Sequence, residues 1–105
     1  MALETNISGK QLNILLDEEL TIYTANDIRD LLAVQLQGMT HIVVNLSKVT
    51  DIDSAGLQLL LAIKKLNTKY EVEFIEHSSA VTEFLEICGL LGHLNDSVLI
   101  LRESI

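Results

Sequence analysis

The sequence predicts an α/β fold: a single domain over residues 1–105, with a mixed, mostly parallel sheet of four to five strands and helices on one face. Three observations predict it. Apolar spacing switches repeatedly between two residues and about 3.6. Strand and helix patterns take turns along the chain, the order produced by parallel strands joined through right-handed crossovers. Polar residues at Asn45, Glu71 and Glu73 leave one face of the sheet without helices.

Leu12 to Leu16 reads as the first strand, followed by a solvated turn at Asp17-Glu18-Glu19 and a short extended segment from Leu20 to Tyr23. Thr24 is an N-cap candidate, with Asp27 three residues on in an approximate capping box. The helix it starts runs to about Gln37, carries Ile28, Leu31, Leu32 and Leu36, and is stopped by Gly38. His41 to Leu46 is the clearest strand, with Ile42, Val44 and Leu46 on the more deeply buried face. A turn from Ser47 to Asp51 leads to a second helix starting at Ser54 and ending near Asn67. Leu57, Leu60, Leu61 and Ile63 form its apolar side. Asp51 and Asp53 at its start and Lys64 and Lys65 at its end match the helix dipole. Tyr70 to Ile75 is a strand with Val72 and Phe74 opposite Glu71 and Glu73. Ser78 or Ser79 caps a third helix whose stripe is Val81, Phe84, Leu85 and Cys88, with Gly89 at C′. Leu90 to Leu94 reads as a short helical turn and Val98 to Leu101 as a last, edge strand.

A chain of 105 residues suits one domain. Hydrophobic residues make up 49%, but there is no Trp and only four aromatics, Tyr23, Tyr70, Phe74 and Phe84, so aliphatic side chains must fill the core. Seven basic against fifteen acidic residues give a net charge of −8. That balance excludes the counterion-releasing basic surface of a nucleic-acid binder and disfavours anionic lipid. One cysteine rules out an internal disulfide framework. The first residues lack a leader pattern, and the longest aliphatic run, Leu59 to Ile63, is far short of the roughly 20 residues of a membrane helix. A soluble cytoplasmic protein with no membrane insertion is the expectation.

The segment Thr50-Asp51-Ile52-Asp53-Ser54-Ala55-Gly56-Leu57 follows a central strand and opens a helix, the end of an α/β sheet where ligands and chemistry gather. Two readings of Ser54 follow from the residues. It is an N-cap contributing about 1 kcal/mol, or its hydroxyl is placed for chemistry where backbone amides favour anions. Gly56 in the first turn disfavours helix by up to about 1 kcal/mol relative to Ala, so something approaches it closely: a ligand or partner, or a packed strand.

Val43-Val44-Asn45-Leu46-Ser47 followed by Asp51-Ile52-Asp53-Ser54-Ala55-Gly56-Leu57 resembles the signature of the STAS domain family, which includes bacterial anti-sigma factor antagonists. Glu19-Leu20-Thr21 and the segment from Ser79 to Leu90 extend the resemblance over most of the chain. It implies a non-enzymatic regulatory domain in which Ser54 is phosphorylated by an anti-sigma factor acting as a serine kinase of GHKL type, with a phosphatase resetting the switch. Asp53, Ser54, Ala55, Gly56, Thr21 and Tyr23 would form the partner-binding surface, with Asp53 shaping kinase recognition and Gly56 permitting close approach. The chain departs from the pattern at Glu18, where Gly is usual, and at Thr21, where an acid is common. Both departures bear on the partner's identity rather than the fold. Leu20-Thr21-Ile22-Tyr23-Thr24-Ala25 resembles STAS proteins found with chemotaxis genes, which implies a role in that pathway.

The alternative is a constitutive STAS adaptor subunit, for example of a lipid transporter or a chemotaxis complex, in which Ser54 is only an N-cap. A phosphate adds about −1.5 to −2 charges, favoured by the helix start and opposed by Asp51 and Asp53, so its effect falls on an interface rather than on the fold. Lys48 is the nearest basic residue in sequence that could hold it. His41, His77, His93 and Cys88 form no close-spaced metal-binding pair. No catalytic triad, P-loop or dinucleotide motif is present, so no catalytic residue, metal or cofactor is expected.

Overall fold

The structure, a computed structural model, describes residues 3–89. The expected helical turn at Leu90–Leu94, the strand at Val98–Leu101 and His93 lie outside the described residues. Among the described residues four strands form one sheet in the order β1-β2-β3-β4: β1 Leu3–Ser8, β2 Gln11–Leu20, β3 His41–Ile52 and β4 Glu71–Ile75. Helix α1 spans Ala25–Gln35, α2 spans Ser54–Lys64, with a 3₁₀ turn at Lys65–Thr68, and α3 spans Ser79–Ile87. β1 and β2 are antiparallel, while β2, β3 and β4 are parallel. Each crossover steps one strand in the same direction, and crossovers of one hand then put their helices on one face.

That face holds the core. Leu12, Ile14 and Leu16 of β2, Ile42, Val44 and Leu46 of β3, and Phe74 of β4 are buried against Ile28, Leu32, Leu60, Val81 and Leu85 of the helices. As the sequence indicated, His41, Asn45, Glu71 and Glu73 lie on the uncovered face, where His41 Nε2 meets Glu71 Oε1 across neighbouring strands at 3.0 Å.

Several sequence expectations are corrected. First, β1 was not anticipated. Leu3, Thr5 and Ile7 oppose Leu16, Ile14 and Leu12 across a hairpin whose turn uses Gly9 at φ 64°, a conformation open to Gly without steric cost. Second, Asp17-Glu18-Glu19 is not a turn and Leu20–Tyr23 is not a separate strand, because β2 runs unbroken to Leu20 beside β3. Third, Ser47–Asp51 is strand as well. The register slips between Leu15/Asp17 and between Glu18/Glu19, and each slip puts one extra residue in β3. These bulges lengthen the inward spacing from two to three, so Leu46, Val49 and Ile52 are all buried. Fourth, Cys88 is exposed at the C-cap of α3 rather than part of its buried stripe, which is Val81 and Leu85. The fifth concerns Ser54 and is described with the site. Ser78 caps α3 as expected, its Oγ accepting from Val81 N at 3.2 Å.

Candidate functional site

Two loops meet at the carboxyl ends of β2 and β3. In the β2–α1 loop, Thr21 is buried. Its hydroxyl donates to Glu19 Oε2 at 2.7 Å and accepts from Tyr23 N at 3.3 Å. Thr24 does not act as an N-cap through its side chain. Its hydroxyl instead donates to Glu19 O at 2.9 Å and accepts from Thr21 N at 3.1 Å. These bonds tie the loop back on itself and leave Ile22 and Tyr23 outermost, 64% and 83% exposed.

The β3–α2 loop is organised by Asp53. This residue, and not Ser54, is the N-cap of α2: its Oδ1 accepts from Gly56 N at 3.0 Å. Its Oδ2 accepts from Ile22 N at 3.1 Å in the other loop. One carboxylate thus serves two backbone amides from separate loops. A carboxylate offers two oxygens, and with the cap at Asp53, one residue earlier than the sequence expectation, each amide has an acceptor of its own. The amides of Gly56 and Ile22 hold the Asp53 carboxyl below its ordinary value.

Relieved of capping, Ser54 is the first residue of α2, exposed, and makes no side-chain hydrogen bond among the described residues. Ala55 is half-buried and Gly56 is buried. A Cβ on Gly56 would overlap the Leu20 carbonyl oxygen and stand 2.8 Å from its carbon. The close approach that Gly56 permits is therefore that of α2 to the end of β2, where Leu20 O also accepts from Asp53 N at 3.3 Å. Lys48 lies opposite Asp17 within β3, about 13 Å of strand before Ile52, so it is not beside Ser54.

Of the six residues expected to meet a partner, the structure therefore exposes Ser54 and Tyr23 and leaves Asp53 and Ala55 part-exposed. It buries the side chain of Thr21 and the whole of Gly56, which act from below by shaping the loops. Exposed Ile22 completes the outer surface and was missed. Its signal was an apolar residue between Thr21 and Tyr23, read as strand. Among the described residues no group of three or more His, Cys, Asp or Glu could hold a metal ion. No helix among them is long and apolar enough to cross a membrane.

A family model described as Mlab, STAS domain matches residues 3–101. No curated protein sequence matches the chain. Among solved structures it is similar to the anti-sigma factor antagonist SpoIIAA in its unphosphorylated form, with a TM-score of 0.68 and 22% identity over 85% of this chain and 82% of that one. The phosphorylated form of the Bacillus cell fate determinant SpoIIAA gives a TM-score of 0.64 and 21% identity over 85% of each chain. An antisigma-factor antagonist STAS domain from Rhodobacter sphaeroides gives 0.62 and 17%, over 75% of this chain and 92% of that one. At these identities the likeness to solved structures is one of fold. With the mixed sheet, the helices on one face and a family match spanning nearly the whole sequence, the chain belongs to the STAS domain family.

Proposed function

We propose that the chain is a non-enzymatic protein-binding regulator of the anti-sigma factor antagonist kind, switched by phosphorylation of Ser54. The observation that carries this reading is the state of Ser54. Its side chain is exposed and makes no hydrogen bond among the described residues, the capping being done by Asp53, and it adjoins an outer surface, Ile22 and Tyr23, that the same Asp53 ties in place. The fold is shared with a protein, SpoIIAA, that has a phosphorylated form. The proposed partner is a GHKL-type serine kinase that is also the anti-sigma factor, with a phosphatase restoring the free hydroxyl. Such a pair would act in the bacterial cytoplasm, in transcription regulation or chemotaxis signalling.

The kinase supplies ATP, Mg²⁺ and the base. A bond forms from Ser54 Oγ to the γ-phosphorus, the bond to ADP breaks, and the hydroxyl proton passes to the kinase's base. The dianion gains from the amides at the start of α2 but lies close to Asp53, which is held ionised, so the fold changes little. A partner packed on Ile22 and Tyr23 would have to desolvate it, which is costly, and is released.

The test is incubation with a purified GHKL kinase and Mg-ATP, read by intact mass, beside pull-downs with wild type, Ser54→Ala and Ser54→Asp. The expected results are a gain of one phosphoryl group that is absent in Ser54→Ala, and loss of the kinase partner in Ser54→Asp alone. No phosphoryl gain together with unchanged binding of Ser54→Asp would overturn the switch and favour the constitutive adaptor.

A further inference from the structure

A cleft between helices α1 and α2 reaches the sheet at Ile14 and Ile42. Its apolar part is a recess of about 180 Å³, open to solvent and rimmed by the exposed Ala33 and Ala62, with Leu32, Leu36, Leu59, Ile63 and Leu66 as its apolar walls. An aliphatic cavity of roughly 150 Å³ takes up benzene, so a recess of this volume has room for a body of that size. The recess continues into a second space of about 220 Å³ whose polar groups come from both helices: Asn26 and Arg29 of α1 and Gln58 of α2. Arg29 lines both spaces and is, among the described residues, the one charged group of either lining. Its partner is its chain neighbour Asp30, at 3.3 Å and with both side chains well exposed. Exposed pairs of this kind are weak, so the guanidinium can turn to a better acceptor.

We infer that this cleft is a small-molecule site for a monocarboxylate with an apolar body of about benzene's size. The body fills the recess and the carboxylate is paired by Arg29. Two features select this class. The recess is too small for more than one ring or a short alkyl chain, and a planar guanidinium matches a carboxylate with two parallel hydrogen bonds. Asn26 and Gln58 add donors at the same level. Ala55 lines the outer space, so a bound head group would lie one residue from Ser54. The inference does not depend on phosphorylation of Ser54.

The test is an NMR titration of the whole chain with phenylacetate and, separately, with uncharged 2-phenylethanol. The expected result is saturable shifts of amides at Arg29, Leu59 and Ala62, with a phenylacetate Kd on the order of 1 mM. Arg29→Gln should weaken phenylacetate about tenfold and leave 2-phenylethanol unchanged. Ala62→Leu should abolish both by filling the recess; Ala33→Leu serves if that variant does not fold, with far-UV circular dichroism as the check. Absence of saturable shifts, shifts confined to other regions, or undiminished binding by the filled variants would overturn the inference. Self-association in sedimentation that protects the same amides and excludes the probe would assign the cleft to a second copy instead, and would equally overturn it.

Discussion

Replacing Gly56 with Ala separates two meanings of a glycine in a helix. In an open first turn, Ala would stabilise the protein by up to about 1 kcal/mol through helix propensity. Gly56 has no left-handed conformation to explain it, so backbone freedom is not the reason it is there. Space is. A Cβ would fall 2.8 Å from the Leu20 carbonyl carbon and 3.0 Å from Leu20 Cγ, where carbon pairs rest at about 3.5–4.0 Å. The Leu20 carbonyl oxygen is nearer than either, so the start of α2 must lift from β2 by more than about 1 Å. Lifting stretches the Asp53 N to Leu20 O bond, already 3.3 Å long. The Leu20 carbonyl oxygen belongs to the backbone, so the cost falls in the upper part of the range for overpacking, about 2–3 kcal/mol. Less the propensity gain, Gly56→Ala should destabilise the domain by about 1–2 kcal/mol. Urea unfolding followed by circular dichroism is the assay. With a slope of about 1–1.5 kcal/mol/M, the midpoint should fall by about 1 M. A midpoint unchanged or raised would refute the steric argument, because the propensity gain would then be acting alone.

Three further predictions concern neighbouring groups. Ser54→Ala should change stability by no more than about 0.5 kcal/mol, as for an ordinary surface position; a loss of 1 kcal/mol or more in the same urea assay would restore the serine as a cap. The lowered pKa of Asp53 means that the unfolded chain binds more protons just below pH 3.8, so its contribution is full above that value and is lost as pH falls towards the folded pKa. Asp53→Asn should keep the helix, since Asn caps about as well, and should flatten that part of the acid titration of stability. His77 is held below 6.5 by burial, and its Nε2 has no hydrogen-bond partner among the described residues. Its contribution is therefore full above pH 6.5 and declines as pH falls from there, a separate and higher window that His77→Gln should remove from stability measured between pH 5 and 8.

The strands that alternate cleanly were legible. Ile42, Val44 and Leu46 opposite Asn45, and Val72 and Phe74 opposite Glu71 and Glu73, needed only the period of two. The far half of β3 was not, because two bulges turn its inward spacing into 46, 49, 52, a step of three that no strand template contains. Asp17, Glu18 and Glu19 look like a turn by propensity, yet pairing with β3 fixes them as strand, a case of tertiary context overriding local preference. β1 itself is short and half exposed, and its six residues are strand through their pairing with β2. At the site, the loop and its residue types were legible while the division of labour was not. Asp53 and Ser54 are both good caps in isolation. What sets them apart is an amide at Ile22, remote in sequence, that only the folded chain brings within reach.

The shared acceptor also governs how these loops come apart. When the Asp53 carboxylate lets go, the amides of Ile22 and Gly56 lose their partner at the same instant, although they lie in different segments of the chain. Their hydrogens should therefore exchange with solvent deuterium at matched rates, as one opening unit. A molecule that grips Tyr23 would slow the exchange of Gly56 without touching it, and the start of α2 would report, from below, on what is held at the tip of the other loop.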